Sequence, residues 1–255
     1  MAINPVRAVV FDMGGTLEDV VYDDVTRLEA TRDLRDLLRK LDLDPGLSLP
    51  DLQAALTLGL EAYYAWRAGR EVELPPERVW TEYIFADHGL CTERLLAGAD
   101  EMALFYETHF YTRSLRCEVP AALEALHTRA LRQAIISNTF SRRLVPQKLA
   151  EYGIAHYFDP VMTSASFGWR KPSERIFREA ARLMQLPPEA CAYVGDTVSR
   201  DVIGARRAGY GMVIQIESFL TTIADRNTAP VPPDAVIDDL REIVDLITTS
   251  PGDSS

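Results

Sequence analysis

Four short stretches of this chain carry residue types that handle anions and cations: Asp12-Met13-Gly14-Gly15-Thr16, Ser137-Asn138, Lys171-Pro172 and Gly195-Asp196, the last followed by Asp201. Asp12 ends the apolar run Ala8 to Phe11 and is followed by glycines and a threonine. Such an acid is either an aimed carboxylate, able to attack as a nucleophile or hold a metal, or a cap on the next segment. Gly14 and Gly15 carry no Cβ and let the backbone come close to a ligand. Asp12 and Asp196 offer two carboxylates, the donors a hard divalent cation such as Mg²⁺ prefers, and a backbone carbonyl near Gly14 could add a third oxygen. Ser137 and its neighbouring amides can donate to an oxyanion. Lys171 is a point charge beside a helix start opened by Pro172. Asp201, in the first turn of the following helix, could orient Lys171 or hold a metal's water shell. Each residue also has a plainer reading: Ser137 as a turn former, Lys171 as a solvated cation, Asp201 as an acid at a helix start.

What favours chemistry is placement. The run Ala8 to Phe11 reads as a buried parallel strand, which delivers Asp12 to the carboxyl edge of a sheet, where open α/β sheets bind ligands. Strands are also expected at Leu131–Ile136, Pro160–Thr163, Cys191–Val194, Met212–Ile216 and Ala235–Ile237. Helices are expected at Ala121–Arg129, Arg143–Tyr152, Ser173–Met184, Ser199–Ala208 and Leu240–Ile247. The alternation predicts a Rossmann-like parallel sheet with helices on both faces. Ser137, Lys171 and Asp196 then sit at strand ends or in the loops beside them, on the same edge as Asp12.

Between Leu17 and about Arg116 the pattern is helical throughout, with no strand. Helices are expected at Asp24–Leu41, Pro50–Trp66, from Pro75 to His88, and Thr92–Phe110. This block interrupts the alternation after the first strand. The expected division is therefore an α/β core over 1–18 and 117–250, an inserted helical cap over 19–116, and a disordered tail over 251–255. A loop is expected over 227–233. The two chain crossings form a hinge. Tyr63, Tyr64, Trp66, Trp80, Tyr83, Tyr106 and His109 give the cap an aromatic character, most of it expected in its own core.

The composition, 47% hydrophobic and 25% charged, is that of a globular chain. A net charge of −11 argues against a nucleic-acid partner. The N-terminus has no signal-peptide pattern and no apolar run is long enough to cross a bilayer, so a cytoplasmic protein without a membrane partner is expected. Cys91, Cys117 and Cys191 show neither metal nor disulfide spacing and read as buried free thiols. The only lysines are Lys40, Lys148 and Lys171.

Together, Asp12 to Leu17, Ile136-Ser137-Asn138, Arg170-Lys171-Pro172 and Val194-Gly195-Asp196 with Asp201 resemble the motifs of the haloacid dehalogenase-like hydrolases, in the branch with a helical cap inserted after the first motif. The resemblance implies a Mg²⁺-dependent phosphatase of a small phosphorylated metabolite, working through an aspartyl-phosphate on Asp12. It implies a metal held by Asp12, the Gly14 carbonyl and Asp196. Thr16, Ser137, Asn138 and Lys171 would bind the phosphoryl group, with Asp201 in support. The chain departs from that pattern at Gly14, where such phosphatases usually carry an acid/base aspartate. General acid–base help is worth roughly 10²–10⁴ in rate. An acidic leaving group, another acid (Glu18, Asp19 or a cap residue), or slow or absent turnover would each account for the glycine. Retention of Asp196 argues against dehalogenation. A phosphonate-cleaving relative would need a cap lysine, and Lys40 is the only one; a binding protein without turnover is a further alternative.

Overall fold

The computed structural model describes residues 5–218 and 231–248, together with Thr221, Asp225 and Ala229. Strands β1 (Ala8–Phe11), β4 (Arg132–Ser137), β5 (Phe158–Thr163), β6 (Cys191–Gly195), β7 (Met212–Ile216) and β8 (Ala235–Ile237) form one parallel sheet in the order β5-β4-β1-β6-β7-β8. All four β1 residues are buried. Alternate side chains serve opposite faces. Val9 and Phe11 pack with Leu123, Leu126, Val145 and Ile243, whereas Ala8 and Val10 pack with Ile176, Phe177, Ala180 and Ala205. The register pairs Phe11 with both Ile135 and Val194. The residues that follow, Asp12, Ser137 and Asp196, therefore leave the sheet along one edge. The winding reverses on either side of β1, which makes this edge the topological switch point.

The helices from Asp24 to His109 have a core of their own. They are α1 (Asp24–Lys40), α2 (Leu49–Arg67), α3 (Pro76–Val79) and α4 (Thr92–His109). Leu34, Leu38, Leu56, Leu60, Trp80 and Met102 are among the side chains at its centre. Asp23 caps α1 by accepting from Thr26 N at 2.7 Å. Ser48 caps α2, whose first turn carries Pro50.

Several elements differ from the sequence reading. Two short strands, β2 (Glu18–Val21) and β3 (Thr112–Leu115), pair antiparallel where no strand was expected. Four residues each, half of them solvent-facing, leave too short an alternation to separate from helix flanks. They join the two chain crossings into one ribbon. The helix expected from Pro75 to His88 stops at Val79 and continues as a wide turn, Trp80–Ile84, closed by Phe85 N on Trp80 O at 3.0 Å. A one-turn helix, Ser164–Phe167, follows β5. Only Cys191 is a buried thiol; Cys91 and Cys117 are exposed. Of the loop expected over 227–233, Ala229 and 231–233 are irregular, and the rest lies outside the described residues, as does 251–255. Among the described residues, no helix is long and apolar enough to cross a membrane.

The helical block is tied to the sheet at two further places. Val72 bridges Trp169, with Glu73 N on Gly168 O at 3.0 Å and Arg170 N on Glu71 O at 2.8 Å. On the other side, Glu107 of α4 accepts from Phe140 N at 2.7 Å and from Ser141 N at 3.4 Å. Nearby, Arg142 grips Glu77 with two bonds of 2.7 and 2.8 Å.

Burial pushes the Glu107 carboxyl up to about 7, against the pull of Arg113 and those two amides. The folded state therefore holds this proton more tightly than the unfolded chain, whose value is near 4.5. Its stabilising contribution is complete below the unfolded value and is lost as pH rises through the folded one. At about 1.4 kcal/mol per pH unit, the wild type should lose about 3 kcal/mol relative to Glu107→Gln over this interval, read from urea unfolding at stepped pH. A second prediction concerns Gly59, where a Cβ would fall 2.5 Å from Ile84 Cα in the wide turn. Gly59→Ala should cost about 1–3 kcal/mol through overpacking, seen as a lower unfolding midpoint in calorimetry.

Candidate active site

The Asp12 carboxylate leaves the end of β1 and meets Lys171 Nζ, 2.7 Å from its Oδ1. Lys171 is buried and also touches Asp201 Oδ1 at 2.7 Å and the Tyr193 hydroxyl at 3.0 Å. Tyr193 in turn donates to Asp201 Oδ1 at 2.9 Å. The other Asp201 oxygen accepts from Thr197 N at 3.1 Å and Thr197 Oγ1 at 2.5 Å. Asp201 thus lies not in a regular helix start but in the wide turn Val198–Val202 that precedes the helix Ile203–Ala208. Burial opposes its ionisation, yet Lys171, Arg200 and the Thr197 bond outweigh that and hold its carboxyl below the usual range.

Asp12, Asp196 and Asp201 each offer an oxygen within 4.8 Å of the others'. Burial and the charges of Asp12 and Asp201 push Asp196 up to about 7. Its Oδ2 accepts from Ser218 Oγ at 2.6 Å, while its buried Oδ1 has no hydrogen-bond partner among the described residues. Burial also raises Asp12, with Asp201 adding to the rise and Lys171 opposing it. Crowded, buried, oxygen-only donors with one oxygen left over are what a hard divalent cation requires, so these residues fit Mg²⁺. Gly15 makes the crowding possible. Its φ is +89°, and a Cβ there would fall 2.2 Å from Asp196 Oδ2.

The remaining expected residues are placed as follows. Ser137 ends β4 and lines the cleft above Asp12. Asn138 lines it too, but its amide head grips the Lys171 main chain, donating to Lys171 O at 3.0 Å and accepting from Lys171 N at 2.8 Å. Thr16 is fully buried, its hydroxyl without a hydrogen-bond partner among the described residues, and it is not part of the cleft wall. Gly14 does line the cleft, and a Cβ there would lie 3.6 Å from Arg113 Nη1 and 3.9 Å from Glu18 Oε1. Glu18 is buried, paired with Arg113 and bonded by the Tyr152 hydroxyl at 2.9 Å. Asp19 faces solvent. Lys40 ends α1 on the exposed surface, away from the cleft.

The cleft is a cavity of about 190 Å³ between the sheet edge and the helical block. Tyr63, Tyr64 and Tyr106 of the aromatic set reach it, as does Glu107. The sequence reading missed Tyr193, Ser218, Arg113 and Arg200. A lone hydroxyl inside the apolar run Cys191–Val194 was the available signal for Tyr193; nothing local marked the others.

The sequence pattern of the haloacid dehalogenase-like hydrolases matches residues 6–209. A glyceraldehyde 3-phosphate phosphatase of Methanopyrus kandleri is 40% identical over 101 residues, 40% of this chain and 43% of that protein. A phosphoserine phosphatase of Thermus thermophilus is 35% identical over 191 residues, 73% of this chain and 69% of that protein. The first curated relatives are matched over 42–54% of their own lengths. In fold, a 2-haloacid dehalogenase from Pseudomonas syringae superposes with a TM-score of 0.64 at 22% identity, covering 96% of this chain and 99% of that one. Motifs, sheet order and a match across most of the sequence agree: the chain belongs to the haloacid dehalogenase-like hydrolases.

Proposed function

We propose that the protein is a Mg²⁺-dependent phosphatase of a small phosphorylated metabolite, with Asp12 as nucleophile and the helical segment 19–116 as a cap over the core, 1–18 and 117–250. The observation that carries this reading is the buried cluster of Asp12, Lys171, Asp201 and Asp196 at the floor of a cleft. Relatives named as phosphatases of phosphoserine and glyceraldehyde 3-phosphate support the reaction class.

Lys171 fixes Asp12 Oδ1 and leaves the carboxylate aimed into the cleft. An Asp12 oxygen attacks phosphorus, the bond from phosphorus to the ester oxygen breaks, and that oxygen leaves with the electron pair. Water then attacks the phosphorus of the aspartyl-phosphate, which releases phosphate and the Asp12 carboxylate. Lys171 and Ser137 would face the phosphoryl oxygens, while Asn138 and Asp201 hold Lys171 in place. Asp12, Asp196 and the Gly14 carbonyl would hold Mg²⁺, which when bound offsets charge on the phosphoryl group.

At Gly14 the space of the usual acid/base carboxyl faces Arg113. A guanidinium there stabilises an anionic leaving oxygen but has no proton to give at neutral pH. Esters with acidic leaving groups, such as aryl or acyl phosphates, need no proton donor and are the favoured substrates; Glu107, on the cleft wall with its carboxyl at about 7, is the cap acid in reach for any other leaving group. The same glycine supports a second reading, a phosphoryl-binding protein that does not turn over.

Asp12→Asn should lower phosphate release from an aryl ester to the uncatalysed background, with the far-ultraviolet circular dichroism unchanged. Release at the parent rate would overturn the assignment. Gly14→Asp should raise kcat on alkyl phosphates by about 10²-fold, the lower end of general acid–base help, and change aryl phosphate turnover far less. Equal gains on both would show that leaving-group acidity is not what the glycine selects. An aspartyl-phosphate on Asp12 that forms and never clears, in quenched-flow mass spectrometry, would favour the second reading.

A further inference from the structure

The cleft holds more positive charge than one phosphoryl group uses. Arg67 enters it from the end of α2, Arg170 from the loop before Lys171, and Arg200 from the wide turn after β6. The Arg170 side chain is 12% exposed, and its Nε lies 3.2 Å from Glu73 Oε2. That carboxylate is shared, because Glu73 also accepts from Ser164 Oγ at 2.8 Å and from the Tyr63 hydroxyl. Arg67 has no carboxylate partner among the described residues. Its guanidinium lies over the Tyr64 ring at 4.2 Å and the Tyr63 ring at 5.4 Å, which fixes its direction. Arg200 donates to Thr197 Oγ1 at 3.2 Å and has no ion pair among the described residues, although the nearby charges of Asp196, Asp201, Asp12 and Asp225 raise it against the effect of burial.

These charges act on one another. Burial depresses Arg170, and Arg67 and Arg200 depress it further, with Glu73 alone among the nearby carboxylates pulling the other way. Like charges gathered in a partly desolvated cleft repel strongly unless an anion joins them. In a chain of net charge −11 this gathering is not a reflection of composition. Guanidinium forks match carboxylate and phosphate oxygens in pairs.

The geometry points to a seat for a second anionic group: Arg67 and Arg170, with Arg200 beside them, take a carboxylate or a second phosphate carried by the same small phosphate ester. This rests on the phosphatase reading above. The group would be held between the helical block, through Arg67, and the sheet edge, through Arg170.

The test compares wild type, Arg67→Gln and Arg78→Gln with Mg²⁺, in about 0.15 M salt to screen long-range steering. Arg78 pairs with Glu82 on the outer surface and controls for net charge. The substrates are phosphoglycolate, propanediol bisphosphate and ethyl phosphate. Arg67→Gln should lower the ratio of kcat/KM for the better of the two esters with a second anionic group to that for ethyl phosphate by about 10- to 100-fold, mostly through KM. Arg78→Gln should leave the ratio where it was. The larger of the two losses tells a carboxylate seat from a phosphate seat. Calorimetric binding of phosphonoacetate against ethylphosphonate reads the same seat without turnover. Turnover with both ratios unmoved by Arg67→Gln overturns the seat and leaves the phosphatase reading standing. No turnover, but a preference for phosphonoacetate that Arg67→Gln removes, keeps the seat and overturns the phosphatase reading.

Discussion

The constraint beneath this architecture is charge balance at a dry sheet edge. Asp12, Asp196 and Asp201 are buried together, and among the described residues Lys171 is the one cation in direct ion-pair contact with any of them. Burying carboxylates without compensation is expensive. Lys171 offsets part of the cost by touching two of the three. Arg200, raised by Asp196, Asp201 and Asp12 although burial works against its charge, supplies a longer-range share. Compensation is incomplete at Asp196, whose carboxyl is pushed up to about 7 by burial and its acidic neighbours and whose Oδ1 has no hydrogen-bond partner among the described residues.

Much of the surrounding structure is explained by keeping Lys171 where it is. Asn138 clasps its main chain from the end of β4, Asp201 and Tyr193 hold its ammonium from the β6 side, and the loop before it is bridged to the helical block. Three elements distant in sequence therefore converge on one residue and the loop that carries it. Their register follows from β1, which pairs in step with β4 and β6.

The parts legible in the sequence were those encoded by period and punctuation. Ala8–Phe11 and Cys191–Val194 read as buried strands because their apolar runs end in polar residues at glycines. Asp12 and Asp196 stood out because they follow those ends, and Lys171 because it is one of only three lysines and stands beside Pro172 at a helix start. The ribbon of β2 and β3 was not legible, since Thr112-Arg113-Ser114-Leu115 has no apolar alternation and acquires its strand form from its partner. Arg67, Arg113 and Arg200 were illegible for a related reason. Each is an ordinary arginine in its local context and becomes special only through neighbours far along the chain. Asn138 shows the converse, a motif residue whose side chain is spent on the main chain of another motif.

The small antiparallel bridge at Val72 and Trp169 has a mechanical consequence. The β2–β3 ribbon by itself would let the helices swing as a loose flap. The bridge stitches residues 71–73 to the strand of chain that leads directly into Lys171, through the bonds Glu73 N to Gly168 O and Arg170 N to Glu71 O. Any outward swing must shear those two bonds or drag the lysine's loop along with it. The edge of the cleft and the cation steadying Asp12 are geared together, so that a displacement of residues 71–73 is felt at the Asp12 carboxylate.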